Sequence, residues 1–167
     1  MTGSPRAQQI ADAAQQLLEE VGWEAVSMRL LAERLGIRAP SLYKHFANRD
    51  EIKSELVARG LREMGEALHD VLDAGGSSAE VLAVYRATGA RHPNLYRLAT
   101  TAPLDRAALP DGLEEWSGSA FWRMTGDPDL AQALWSFAHG AMILELDGRY
   151  PPGSDLDRIW DVGVELF

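Results

Sequence analysis

Between Ser27 and Arg49 the chain carries five cations and one anion: Arg29, Arg34, Arg38, Lys44 and Arg49 against Glu33. Hydroxyl, phenol and imidazole groups (Ser27, Ser41, Tyr43, His45) lie among them. That set suits recognition of a polyanion. A guanidinium pairs with guanine O6 and N7, and hydroxyl, phenol and ammonium groups meet phosphate. The residues predicted to touch nucleic acid are Arg38, Ala39, Ser41, Tyr43, Lys44 and His45. Ser27 and Arg49, at helix starts, would present a hydroxyl, backbone N–H groups and a guanidinium to phosphates. The plainer alternative is that these charges form a solvated helix surface, with His45 in a packing or capping role.

Such contacts require two short helices and a tight turn. Ser27 is placed to cap the first helix. Leu30, Leu31, Ala32 and Leu35 give that helix an apolar face. Gly36 supplies the permissive backbone for a sharp stop, and Ile37 closes the corner. Pro40 suits the first turn of a second helix, where its missing N–H costs nothing. Leu42 and Phe46, four apart, share its buried face. This is the layout of a helix-turn-helix, whose second helix lies in the DNA major groove. A leading helix is predicted over Arg6–Val21, with Ile10, Ala13, Ala14, Leu17 and Leu18 inward, after a loose arm at residues 1–5. Trp23 and Val26 continue that core.

The net charge of −9 looks adverse for binding DNA. Its distribution removes the difficulty. Through residue 60, eight Lys or Arg balance eight Asp or Glu, and the whole acidic excess falls in residues 61–167. Exposed charges farther apart than about 10 Å are largely screened at moderate salt, so the local sign governs phosphate contact. Other classes find little support. No apolar run reaches the ~18 residues of a membrane span, and the N-terminus has no apolar signal region. Cysteine is absent, which removes disulfides and thiolate chemistry and suits a cytoplasmic protein. There is no Gly-x-Ser-x-Gly, no phosphate-cradling glycine loop and no His-Glu-x-x-His. Glu114-Glu115 and Asp127-Pro-Asp129 read as a solvated face and a helix cap. The histidines at 45, 69, 92 and 139 lack metal-ligand spacing, and no cofactor is implied.

The remainder reads as helices. A long one runs from Arg49 or Asp50 to Leu72, interrupted by Gly60 and Gly65, where a bend is possible. Asp73-Ala-Gly-Gly-Ser-Ser is a linker, and Ser77 or Ser78 caps a helix reaching His92. Pro93 opens a short helix through Leu98. Residues 100–112 read as loop, Leu113–Met124 as helix, and Asp127-Pro128 as the cap of a helix reaching Asp147. Ser154 and Asp157 stand at capping-box spacing before a final helix. The fold class is all-α. The expected domains are a helix-turn-helix domain over residues 1–48 and a helical C-terminal domain over 49–167, the part to which a family resemblance, carried by three short segments, assigns ligand binding and dimerisation.

Three segments, Ala32-Glu-Arg-Leu-Gly-Ile, Ser41-Leu-Tyr-Lys-His-Phe and Asn48-Arg-Asp-Glu-Ile, follow a leading helix in fixed order. Together they resemble the TetR family of transcriptional repressors. The resemblance implies a three-helix DNA-binding domain and a C-terminal ligand-binding and dimerising domain. It also implies a homodimer on a palindromic operator, released by an inducer, with Tyr43 and Lys44 on phosphate. Within the C-terminal part, His92-Pro-Asn-Leu-Tyr-Arg-Leu and Trp135-Ser-Phe-Ala-His139-Gly140 are similar to the subgroup named for a Trp-His-Gly signature.

For an inducer, the predicted lining is Tyr85, Tyr96, Trp116, Phe121, Trp122, Trp135 and His139, since pockets are mostly apolar with a few placed polar groups. Arg86, His92 and Arg123 are further polar candidates. The alternative is that most of these aromatics are core. For dimerisation, the helices from Pro128 and Ser154 are the candidates, through Leu134, Ala138, Ala141, Met142, Ile159, Trp160, Gly163 and Phe167. In the family these two helices pair with their copies as a four-helix bundle. The alternative is that the same faces close the monomer core. Two other functions stay open on sequence: an adaptor that keeps the helix-turn-helix without binding DNA, and a small all-α enzyme using the aromatic cavity. Activator and repressor are not separable at this level.

Overall fold

Helix starts leave backbone N–H groups unpaired, and here side chains take them up. In the computed structural model, which describes residues 4–166, α1 (Pro5–Val21) begins at Ser4, whose Oγ accepts from the Ala7 N–H at 3.2 Å. The expected loose arm is therefore shorter, because Ser4 and Pro5 already start the helix; residues 1–3 lie outside the described residues. Ser27 Oγ accepts from the Leu30 N–H at 3.1 Å and caps α2 (Met28–Arg34). Gly36, at φ +64°, turns the chain into α3 (Ala39–Leu42). That backbone is one which only glycine adopts freely.

The long α4 (Arg49–Asp73) runs unbroken through Gly60 and Gly65. The glycines act as points of close approach: a Cβ on Gly65 would stand 2.5 Å from Trp116 Cζ3, and one on Gly60 3.2 Å from Ala99 Cβ. After a turn, Ser77 and Glu80 form a reciprocal capping box at the start of α5 (Ser78–Arg91). Then follow α6 (Pro93–Thr100), a loop holding one 3-10 turn at Arg106–Ala108, and α7 (Leu113–Thr125). Asp127 caps α8 (Pro128–Leu146), accepting from the N–H groups of Asp129 and Leu130 at 2.9 and 2.8 Å. The cap of α9 (Leu156–Leu166) is Asp155, accepting from the Arg158 N–H at 3.0 Å. The box expected at Ser154 and Asp157 does not form: the cap falls one residue later because the helix begins at Leu156, and Arg158, three residues on, offers no acceptor to complete a box. Among the described residues there is no strand, and the fold is all-α.

Packing gathers the chain into two compact units. One comprises the chain through Leu61 with Asn94–Leu113; the other comprises Arg62–Pro93 and the chain from Glu114 onward. A linear division at residues 48 and 49 cuts elsewhere. It leaves the start of α4 and most of α6 with the C-terminal part, whereas packing assigns both to the first unit. Two observations explain this. Ile52, Leu56 and Leu95 are buried in one core with Ile10, Leu17, Leu31 and Leu42. The ends of α1 and α6 also cap each other. The Glu19 carboxylate accepts from the N–H groups of Asn94 (3.1 Å) and Leu95 (2.8 Å), while Asn94 Nδ2 donates to the carbonyls of Leu18 (3.0 Å) and Glu19 (3.2 Å).

In the second unit α5, α8 and α9 pack around Leu82, Tyr85, Phe121, Leu134, Met142 and Trp160, all buried. Tyr85 meets Phe121 edge to face at 5.7 Å. Gly163 lets α9 settle onto Phe137 of α8, where a Cβ would collide with the ring. A polar network binds the three helices. Arg86 of α5 donates through Nε and Nη2 to Glu145 of α8 and through Nη1 to Asp157 of α9. Trp160 Nε1 donates to the same Glu145 at 2.9 Å.

Candidate nucleic-acid interface

The first unit sorts the five cations of the helix-turn-helix. Arg29 pairs with Glu33 (3.7 Å) and Arg34 with Glu20 (2.5 Å). The Glu20 pair bridges α1 and α2 at the surface. The Arg34 hydrogen bond holds the Glu20 carboxyl below its ordinary range. Arg49 turns away from the surface: its Nη2 donates to the Trp23 carbonyl, and its guanidinium carbon sits 4.3 Å from the Trp23 ring centroid. A phosphate role for Arg49 therefore competes with a structural one, anchoring the start of α4 against the turn after α1. Arg38 and Lys44 remain. No ion pair engages either among the described residues, and both are exposed.

These two free cations bracket α3. Arg38 is its N-cap residue, and Lys44 lies in the turn that follows. Tyr43, between them in sequence, is 52% exposed. Ser41 and Ala39 are half-buried, and Ala39 packs on the core. His45 is exposed, with Nδ1 3.4 Å from Ser4 Oγ. Beneath them Leu42 and Phe46 are buried as expected, although Phe46 lies past the helix, joined to it by its N–H to the Leu42 carbonyl at 3.0 Å. The helical part of α3 is thus a single turn. Ser27 is exposed, but its hydroxyl oxygen is engaged in the cap of α2.

The predicted ligand lining does not gather in the same way. Tyr85 and Phe121 are core of the second unit, and Tyr96 is buried in the first. Trp116 stacks on His69, with centroids 5.1 Å apart. Trp122 is 55% exposed. Trp135, 45% exposed, stacks on His139 at 5.8 Å, and burial pushes the His139 imidazole below its ordinary pKa. Of the polar candidates, Arg86 belongs to the network above. Arg123 bonds to His69 (2.8 Å) and Asp73 (2.6 Å), and His92 stands 4.0 Å from Glu63.

The predicted dimer residues divide by burial within the single chain. Leu134, Ala138, Ala141, Met142, Trp160 and Gly163 are buried inside the second unit, where they close its core, as the alternative reading of these faces has it. Ile159 is half-buried, and Phe167 lies outside the described residues. The apolar side chains left exposed on these helices are Trp135 and Leu144 of α8 and Val162 and Leu166 of α9. Leu144 went unnoticed, and its signal is that it lies on α8 away from the 134–138–141–142 stripe. Among the described residues no three ligating side chains gather as a metal site would need, and no helix is long and apolar enough to cross a membrane.

An all-α chain with a helix-turn-helix, two unpaired cations at its second helix and a separate helical unit has the build of a DNA-binding regulator. Comparison with known proteins gives the family. Residues 10–56 match the model of bacterial regulatory proteins of the tetR family, and residues 78–167 match a tetracyclin repressor-like C-terminal domain. The chain belongs to the TetR family, whose members are DNA-binding transcriptional regulators and not enzymes. It is 27% identical over 153 residues to an uncharacterized HTH-type transcriptional regulator of Mycobacterium tuberculosis, covering 83% of this chain and 69% of that one. It is 29% identical over 131 residues to the HTH-type transcriptional repressor DrrR1 of Streptomyces coeruleorubidus, covering 75% of this chain and 47% of that one. A solved structure of a protein with unknown function from Rhodococcus sp. RHA1 shares the fold, with TM-score 0.81, 19% identity, and 99% and 94% of the two chains covered.

Proposed function

We propose that this protein is a homodimeric, cytoplasmic repressor which holds a palindromic operator and is released from it by a small molecule. The observation that carries the DNA contact is the sorting of charge in the helix-turn-helix: Arg34 and Arg49 are hydrogen-bonded to protein partners, Arg29 makes a surface pair with Glu33, and Arg38 and Lys44, beside exposed Tyr43, have no ionic partner among the described residues. Arg38 is the candidate for base readout, and Tyr43, Lys44 and His45 for phosphate. An isologous dimer presents two such heads, and two-fold symmetry fits a palindrome. Half-sites would lie about 34–36 Å apart, or a multiple of that. The exposed apolar residues of α8 and α9 are the surface proposed for the second copy. Release would be a population shift, the inducer binding better to a dimer whose heads no longer match the operator. The kinship with the Trp-His-Gly subgroup belongs to this proposal too, and rests on the segments from His92 to Leu98 and from Trp135 to Gly140.

The test is selection of bound duplexes from a random DNA library at physiological salt. Enrichment of an inverted repeat is expected. Failure to enrich any site, at low salt as well, would overturn the reading in favour of an adaptor.

A further inference from the structure

The first unit contains an open cavity of about 210 Å³ that neither the DNA-facing surface nor the aromatic set uses. One wall is the start of α4, with Asp50, Lys53, Ser54 and Val57. The other is the end of α6 and the loop after it, with Leu98, Ala99, Pro103 and Asp105. Its origin is legible in the packing. The two helices touch at Gly60, where a Cβ would be 3.2 Å from Ala99 Cβ. The Glu19–Asn94 clasp ties α6 at its other end. Toward the start of α4 a wedge is left between the helices, and the 101–112 loop closes its side.

The chemistry of the wedge is graded. Val57, Leu98 and Ala99 are buried or half-buried and form an apolar floor, while Asp50 and Asp105 are exposed on opposite walls. No ion pair engages either carboxylate, or Lys53, among the described residues. Two carboxylates against one ammonium leave the mouth net negative, and the volume is below the ~300 Å³ of a drug-sized site. We propose that this wedge binds a small organic cation with an apolar body: its ring or chain on Val57, Leu98 and Ala99, and its ammonium between Asp50 and Asp105. The site is separate from any inducer site in the second unit and does not depend on the release mechanism above. Because α4 follows the helix-turn-helix directly in the chain, an occupant would act on the DNA-reading unit itself.

The experiment is a calorimetric titration of the full chain with phenethylamine, and with phenylacetate as the anion of matched shape. Saturable binding of the amine is expected and none of the acid. Asp105→Asn and Asp50→Asn should each weaken the amine about two- to fivefold, the scale of one exposed ion pair. Ala102→Trp, at an exposed lining position, should fill the wedge and abolish binding while circular dichroism stays unchanged. Absence of saturable amine binding, a preference for the acid, or undiminished binding to Ala102→Trp would each overturn the proposal.

Discussion

Glu145 joins α5, α8 and α9 of the second unit, and the cost of removing it can be worked in steps. Its carboxylate accepts from Arg86 Nε (2.9 Å) and Nη2 (2.8 Å) and from Trp160 Nε1 (2.9 Å). In Glu145→Ala the indole N–H of buried Trp160 loses its acceptor, which costs about 1–3 kcal/mol. Arg86 keeps Asp157 at 2.6 Å and is 24% exposed. The ~3–5 kcal/mol of a broken buried pair therefore shrinks to about 1–2 kcal/mol. Together these come to roughly 3 kcal/mol, or about 6–12 °C in Tm for a chain of this length. Asp157→Ala is the control. That carboxylate is 87% exposed, and its loss should cost no more than about 1 kcal/mol.

The pH dependence has a definite sign. Burial raises the Glu145 carboxyl, but hydrogen bonds from Arg86 and Trp160 outweigh it and leave the pKa lowered. A folded-state pKa below the unfolded one contributes stability that is complete above the unfolded value, about 4.3 for Glu. That contribution disappears as pH falls through the folded value. The difference between wild type and Glu145→Ala, read by urea titration at several pH values, should be constant at neutral pH and narrow only in acid. Equal damage from Asp157→Ala and Glu145→Ala at pH 7, or a Glu145→Ala effect below about 1 kcal/mol, would refute the reasoning.

Lys44→Ala should weaken operator binding and lower the salt slope by about 1.8, since a dimer presents the residue twice and each phosphate contact contributes ~0.9; fluorescence anisotropy across a salt series reads it. Tyr43→Phe should also reduce affinity yet leave Tm unchanged, because the exposed phenol supports no core contact. Ser27→Ala removes the cap of α2 and should cost about 1 kcal/mol of stability, measured by thermal melting. Leu166→Asp, at a position 71% exposed in the single chain, should shift sedimentation toward monomer without lowering the helix content seen by circular dichroism.

How much the sequence disclosed depended on whether a signal was local. Helix starts at Ser27, Ser77 and Asp127 were legible because a cap is decided by a few neighbouring atoms. Asp155 was missed because Ser154 and Asp155 are both competent caps, one residue apart. The helix-turn-helix was legible for the same reason of locality, and so was the set of cations within it. Which of those cations stay free was not, since Glu20 and the Trp23 carbonyl reach Arg34 and Arg49 from the first helix and the turn after it. The faces of α8 and α9 show the limit most clearly. Each helix is apolar on more than one side, so periodicity marks it as buried without saying by what. Leu134, Ala138, Trp160 and Gly163 therefore read in sequence either as a dimer surface or as faces that close the monomer core. The contact that absorbs them, Gly163 against Phe137 with Arg86 and Glu145 closing the edge, joins residues 26 and 59 positions apart. Once that face is spent within the monomer, Trp135, Leu144, Val162 and Leu166 are what these two helices still have to offer a second copy.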